Sequence, residues 1–158
     1  MKVIFLDIDG VMNNNPFIVK TQHEEGFQAY MSKFDPGCVK NLNRILDAVP
    51  DAKIVVSSSW RLHYKTNSSL RRLLMENGID AGRFVGVTPK RGVHPEARGN
   101  EIELWLREHD IVESLVILDD DSDMAHLLPR LVQTDIESGL TEKDADKAIQ
   151  MLRGPVVK

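Results

Sequence analysis

Two aspartates, Asp7 and Asp9, close the apolar run VIFLDIDGV near the start of the chain. Side chains two apart share a face in an extended chain, so both carboxylates are expected on one side, and like charges held that close call for a cation. A second apolar run, SLVILDDDSD, also stops in acid, at Asp119, Asp120, Asp121 and Asp123. A third, AKIVVSSSWR, stops in the hydroxyls Ser57, Ser58 and Ser59 and then Arg61. Arg98 stands just ahead of another helical pattern, with Lys90 and Arg91 a few residues before it. Carboxylates, a hydroxyl and a guanidinium together suit phosphoryl transfer. A hard dication such as Mg2+ takes oxygen ligands and keeps several waters, so two or three carboxylates suffice to hold it. It neutralises a phosphate and lets an anionic carboxylate approach phosphorus. Aspartate can then act as a covalent nucleophile, while a hydroxyl and a cation hold the oxygens over which transition-state charge spreads.

The elements that must position these groups are legible as alternating strands and helices. KVIFLDI (2–8) reads as the first strand. Asp35-Pro36 reads as an N-cap and first helical residue, with an apolar stripe at Val39, Leu42, Ile45, Leu46 and Val49 that Pro50 ends. AKIVVS (52–57) is a strand apolar enough to be buried on both faces of a parallel sheet. A helix follows from Thr66 to Asn77, with Gly78 as its left-handed stop. Residues 83–87 read as a third strand and residues 100–109 as a helix whose Ile102, Trp105, Leu106 and His109 share a face. SLVILD (114–119) and RLVQT (130–134) are the fourth and fifth strands. Thr141 and Asp144 form a capping-box pattern opening a last helix. Asn13-Asn14-Asn15-Pro16 reads as a turn cluster, and residues 17–34 carry no assignable pattern. This alternation predicts a three-layer α/β sandwich with a mostly parallel, five-stranded sheet, whose ligands lie beyond the carboxyl ends of the strands. Asp7, Asp9, Ser57, Asp119 and Asp120 all fall at such ends.

The 158 residues fit one domain, and 42% apolar with 28% charged residues is ordinary for a globular protein. A single cysteine, Cys38, excludes an internal disulfide framework or a cysteine-rich zinc site and is expected to pack in a helix. Met1-Lys2 leads straight into a short apolar strand, too short for a secretory signal or a membrane span, so a cytoplasmic protein without membrane association is expected. The net charge of −4 argues against indiscriminate nucleic-acid binding. Its distribution is uneven. Between Ser57 and Gly99 eight Lys/Arg face three acids, a local balance of +5 that leaves −9 on the rest. An acidic metal site beside a basic surface for an anionic ligand would look like this.

DIDGV, a serine ending the second strand, a basic residue before a later helix, and LDDDSD resemble, in order, the four motifs of the haloacid dehalogenase (HAD) phosphatases. SSSWR, RGNEIELWL, LVILDDDSDM and LVQTDIESGLT are more specifically similar to compact HAD domains of RNA-repair proteins, related to polynucleotide 3′-phosphatases. The resemblance implies a Mg2+-dependent phosphomonoesterase with an aspartyl-phosphate intermediate, acting on a nucleic-acid 3′ end or a nucleotide. It makes Asp7 nucleophile and metal ligand, and Asp9 the general acid/base that also ligates metal through its backbone carbonyl. Ser57 becomes the phosphate-binding hydroxyl, Arg98 the motif-three cation and Asp119 a further metal ligand. Two departures leave alternatives: that cation is more often lysine, so Lys90 and Arg91 compete with Arg98, and the aspartate run leaves Asp120 beside Asp119. Asp123, four beyond Asp119, is placed to order the cation.

Ser58, Arg61, Lys90 and Arg91 are the expected substrate contacts, joined by Lys65 at the rim. Ser58 and Ser59 are equally suited to satisfying backbone groups of the turn. Trp60 is expected to pack rather than to stack a base. His63, His94 and His126 lack metal spacing, Asp121 is expected in solvent, and Asn13 serves either the site or the turn. No full cap domain fits the sequence, although residues 11–34 offer a small flap. Three rivals follow from the same residues: a small-molecule nucleotidase or sugar phosphatase, a receiver-like signalling module, and a degenerate nucleotide-binding module. The third strand ends in Val87-Thr88-Pro89 rather than aspartate, which counts against the receiver.

Overall fold

The computed structural model describes residues 1–62, 64, 66–89, 97–109 and 111–154, with the side chains of residues 61, 62 and 97 outside that description. Strands β1 (Lys2–Leu6), β2 (Ala52–Val56), β3 (Phe84–Val87), β4 (Ser114–Asp119) and β5 (Leu131–Gln133) form a parallel sheet in the order β3-β2-β1-β4-β5. The helices are α1 (Asn15–Glu25), α2 (Pro36–Ala48), α3 (Asn67–Glu76), α4 (Ala97–Arg107) and α5 (Glu142–Arg153). The expected "mostly parallel" sheet is parallel at every described pairing.

Alternation along the strands builds two cores. Ile4, Leu6, Ile54, Val56, Val116 and Leu118 pack with Leu42 and Ile45 of α2, Leu70 and Leu74 of α3, and Ala145 and Ile149 of α5. Val3, Phe5, Val55, Leu115 and Ile117 pack with Ile102 and Trp105 of α4 and with Met124 and Leu127. Helices therefore cover both faces of the sheet. The first core contains Cys38 and Trp60, both buried as expected. No helix among the described residues is long and apolar enough to cross a membrane.

The local signals act where they were read. Asp35 accepts from Gly37 N–H at the start of α2, and Thr141 with Asp144 completes the capping box of α5. His109 ends α4 by stacking on Trp105, with ring centroids 3.8 Å apart. Three differences matter most. β1 stops at Leu6 rather than Ile8, because the chain turns back after Ile8, whose carbonyl accepts from Val11 and Met12 N–H. The Asn13–Pro16 cluster is a helix start rather than only a turn: Asn14 accepts from Phe17 N–H at 3.0 Å and caps α1. That helix escapes sequence reading because it has no apolar stripe and only Thr21 is buried along it. α4 begins at Ala97, not near Asn100, so Arg98 lies inside its first turn instead of before it.

Residues 26–34 fold over the loop that follows β2. A short 3-10 turn, Ala29–Ser32, is tied there by the Tyr64 hydroxyl, which donates to Met31 O at 2.8 Å. Tyr30, Phe34 and Tyr64 all pack their rings around Trp60, with centroids 6.1–6.3 Å apart.

Candidate active site

Register creates the site. Leu6 is level with Val56 on one side and with Leu118 on the other. The next residues are Ser57, Asp7 and Asp119. Ser57 N–H donates to Leu6 O at 2.8 Å, and Asp7 N–H to Leu118 O at 3.0 Å, so the ladder runs one residue beyond the strand ends. These three continue the odd-numbered, α4-facing positions Val55, Phe5 and Ile117.

Arg98 reaches the same point from α4. Its Nη1 lies 3.7 Å from Asp7 Oδ1 and 3.8 Å from Asp119 Oδ2, and it also donates to Ser57 O. The approach depends on Gly99. A Cβ there would lie 2.4 Å from the carbonyl of Met124, and Gly99 N–H donates to Asp123 O at 3.0 Å. Only a residue without a side chain lets the first turn of α4 touch this backbone.

Asp7, Asp119 and Asp120 each offer a carboxylate oxygen within 4.8 Å of the others. Asp119 and Asp120, alternatives in the sequence, thus both reach the cluster. Asp120 packs against Gly10, which has φ +79° and where a Cβ would fall 2.6 Å from the carboxyl. The glycine of DIDG is accordingly needed twice, for the left-handed turn and for room.

The Asp9 carboxylate is not in this cluster. The chain turns at Asp9 and Gly10, so the two-residue alternation expected for Asp7 and Asp9 does not persist, and Asn13 takes up Asp9 instead. Asn13 is fully buried; its Nδ2 donates to Asp9 Oδ1 and its Oδ1 accepts from Gly10 N–H, both at 3.0 Å. Asn13 therefore serves the turn and orients Asp9 at once.

Ser57 Oγ is buried and has no hydrogen-bond partner among the described residues. Ser58 Oγ accepts from Trp60 N–H at 3.2 Å, and Ser59 is exposed at the start of a 3-10 turn. Asp123 Oδ1 is buried without a described partner, and burial followed by the Asp121 charge raises its carboxyl. Asp121 is exposed but donates its N–H to Asp119 Oδ1 at 2.9 Å. His126 is exposed and pairs with Glu103. The side chain of Arg61 and residues His63, Lys65, Lys90, Arg91 and His94 lie outside the described residues. Sequence reading missed Glu101, buried with its Oε1 4.0 Å from Arg98 Nε. The i, i+3 spacing on α4 was the available signal.

Burial is the main cause that raises the Asp7 carboxyl, to about 7, against the lowering effect of Arg98. Asp119 is raised further, to about 9, by burial and then by the Asp7 charge, and it shares a hydrogen bond with Asp7 that favours its protonated form. Three carboxylates facing one guanidinium, with oxygen donors only, fit a hard dication. The pair also sets a pH dependence. Both native pKa values exceed the ordinary 3.8, so the folded state binds more protons than the unfolded chain, and the pair's contribution to stability falls as pH rises from about 4 through 7 to 9. In EDTA, the thermal midpoint of Asp119→Asn should rise relative to the parent between about pH 5 and about pH 9. Saturating Mg2+ should stabilise the parent more than the variant. A midpoint difference that ignores both pH and Mg2+ would show that the Asp119 carboxyl is not raised in the folded state and holds no ion.

A family model described as the HAD domain in Swiss Army Knife RNA repair proteins matches residues 3–145. No curated protein and no solved structure matches the chain.

Proposed function

Because this chain belongs to the family of HAD domains found in Swiss Army Knife RNA repair proteins, we propose that it is a Mg2+-dependent phosphomonoesterase acting on a nucleic-acid end, foremost a 3′-phosphate, or on a nucleotide. Residues 1–158 work as one HAD-like domain, with residues 11–34 as a small flap. The observation that carries this reading is the convergence of Asp7, Asp119 and Asp120 within 4.8 Å, with Arg98 3.7 Å from Asp7, at the carboxyl edge of a parallel sheet.

Asp7, Asp119 and Asp120 would hold the ion together with the Asp9 backbone carbonyl. When bound, Mg2+ supplies the positive charge that lets an anionic carboxylate approach an anionic phosphate. Asp7 attacks phosphorus and becomes the aspartyl-phosphate. Asp9, oriented by Asn13, gives a proton to the departing ester oxygen and then takes one from the water that hydrolyses the intermediate. Ser57 Oγ, buried and without a hydrogen-bond partner among the described residues, donates to a phosphoryl oxygen. Arg98 balances the charge that gathers on the others.

The basic stretch from Arg61 to Arg98 favours a substrate with more than one phosphate. An oligonucleotide 3′-phosphate should therefore have a higher kcat/KM than a nucleoside 3′-monophosphate, and the advantage should shrink as salt rises. Lys90→Gln with Arg91→Gln should erase most of that advantage. Preference for a mononucleotide or sugar phosphate, insensitive to salt, would instead make this a small-molecule phosphatase. Absence of hydrolysis with any phosphate ester and Mg2+ would leave a nucleotide-binding module.

A further inference from the structure

Thr88 is a residue of this edge that the mechanism leaves unused. Its N–H donates to Val56 O at 3.0 Å, one strand further along the same ladder. Val87 is level with Val56, Val56 with Leu6, and Leu6 with Leu118. Thr88, Ser57, Asp7 and Asp119 consequently form one row across β3, β2, β1 and β4. Level residues of a parallel sheet share a face, and the strand places Thr88 on the α4 side: at Gly86, two residues earlier, a Cβ would lie 4.0 Å from Trp105 Nε1. Thr88 is 1% exposed, and its Oγ1 has no hydrogen-bond partner among the described residues. Ser57 Oγ, its neighbour in the row, shares that state.

Resting on the phosphatase reading, we propose that Thr88 is a substrate-positioning residue that donates to a phosphate oxygen of the group next to the reacting one: the phosphodiester on the 5′ side of a terminal nucleotide. Strand spacing carries the assignment. Adjacent strands lie about 4.8 Å apart, so Ser57 stands one spacing from Asp7 and Thr88 stands two, about 10 Å. A phosphoryl oxygen attached to the phosphorus under attack by Asp7 is within reach of Ser57 but not of Thr88. The stretch from Ser57 to Gly99 carries eight Lys/Arg against three acids, an excess of cations that favours an anionic oxygen over a sugar hydroxyl. A hydroxyl donating to an anion makes a stronger bond than one donating to a neutral group.

The test uses three substrates: an oligonucleotide 3′-phosphate, a nucleoside 3′,5′-bisphosphate and a nucleoside 3′-monophosphate, which lacks the second phosphate. Thr88→Val should lower kcat/KM for the first two by roughly ten- to a hundredfold more than for the third, the span expected for a hydrogen bond to a charged group. The loss should fall chiefly on KM, and Thr88→Ser should restore most of it. Valine matches threonine in shape, so the thermal midpoint of Thr88→Val should not fall below that of the parent; Thr88→Ala provides a second variant without the hydroxyl. Equal losses on all three substrates, or losses that serine does not rescue, would overturn the assignment while leaving the phosphatase standing. A parent protein that hydrolyses none of the three, nor an aryl phosphate, would overturn both.

Discussion

Asp7→Asn is expected to lower phosphatase turnover by roughly three orders of magnitude or more, with the fold intact. Asparagine keeps the shape of the side chain and its place in the row beside Ser57 and Asp119, but it has no anionic oxygen with which to form the covalent intermediate. Stability should not suffer. The Asp7 carboxyl is raised by burial and faces Asp119 and Asp120, so neutralising it relieves repulsion when no ion is bound. Turnover of an oligonucleotide 3′-phosphate, measured beside the thermal midpoint in EDTA, separates loss of chemistry from loss of structure. Beryllofluoride, a phosphoryl mimic, should bind the parent at Asp7 and not the variant. Substantial turnover by a folded Asp7→Asn protein would sink the covalent mechanism.

Asp9→Asn should separate proton transfer from nucleophilic attack. Asp9 is held by Asn13 and lies outside the cluster of three carboxylates, which suits the proton-transfer role proposed for it. Loss of a general acid typically costs about 10²- to 10⁴-fold. That loss should appear with an alkyl ester such as a nucleoside 3′-phosphate, whose leaving oxygen needs a proton. An activated aryl phosphate, which leaves readily as an anion, should lose far less in its first step. Asp119→Ala should behave differently, losing equally on both substrates and recovering in part at high Mg2+. Equal losses on both substrates in Asp9→Asn would assign Asp9 a structural role.

Much of the scaffold behind these experiments is legible in the linear chain, because its causes are local. β2 and β4 are apolar runs because the sheet is covered on both faces, and the caps at Asp35 and Thr141 act within three residues of themselves. The residue types at the strand ends already point to a cation and a phosphate. α1 is illegible for an equally local reason, since its single buried residue leaves no stripe to detect. The start of α4 fails for a nonlocal one: Gly99 reads as a loop residue until the Met124 backbone is seen packed against it.

Sequence by itself determined which groups stand at the strand ends, Asp7, Ser57 and the Asp119-Asp120 pair, because strands that end in acid or hydroxyl announce themselves by composition, and it left Arg98 in competition with Lys90 and Arg91. Only the tertiary structure decided how those groups divide. It separated Asp9 from the carboxylate cluster and gave it to Asn13, admitted Asp119 and Asp120 together, and set Arg98 between Asp7 and Asp119. It also added Thr88 to the row. The physical reason is register: hydrogen bonds between strands fix which residues of distant segments stand level, and no periodicity along one strand encodes that alignment.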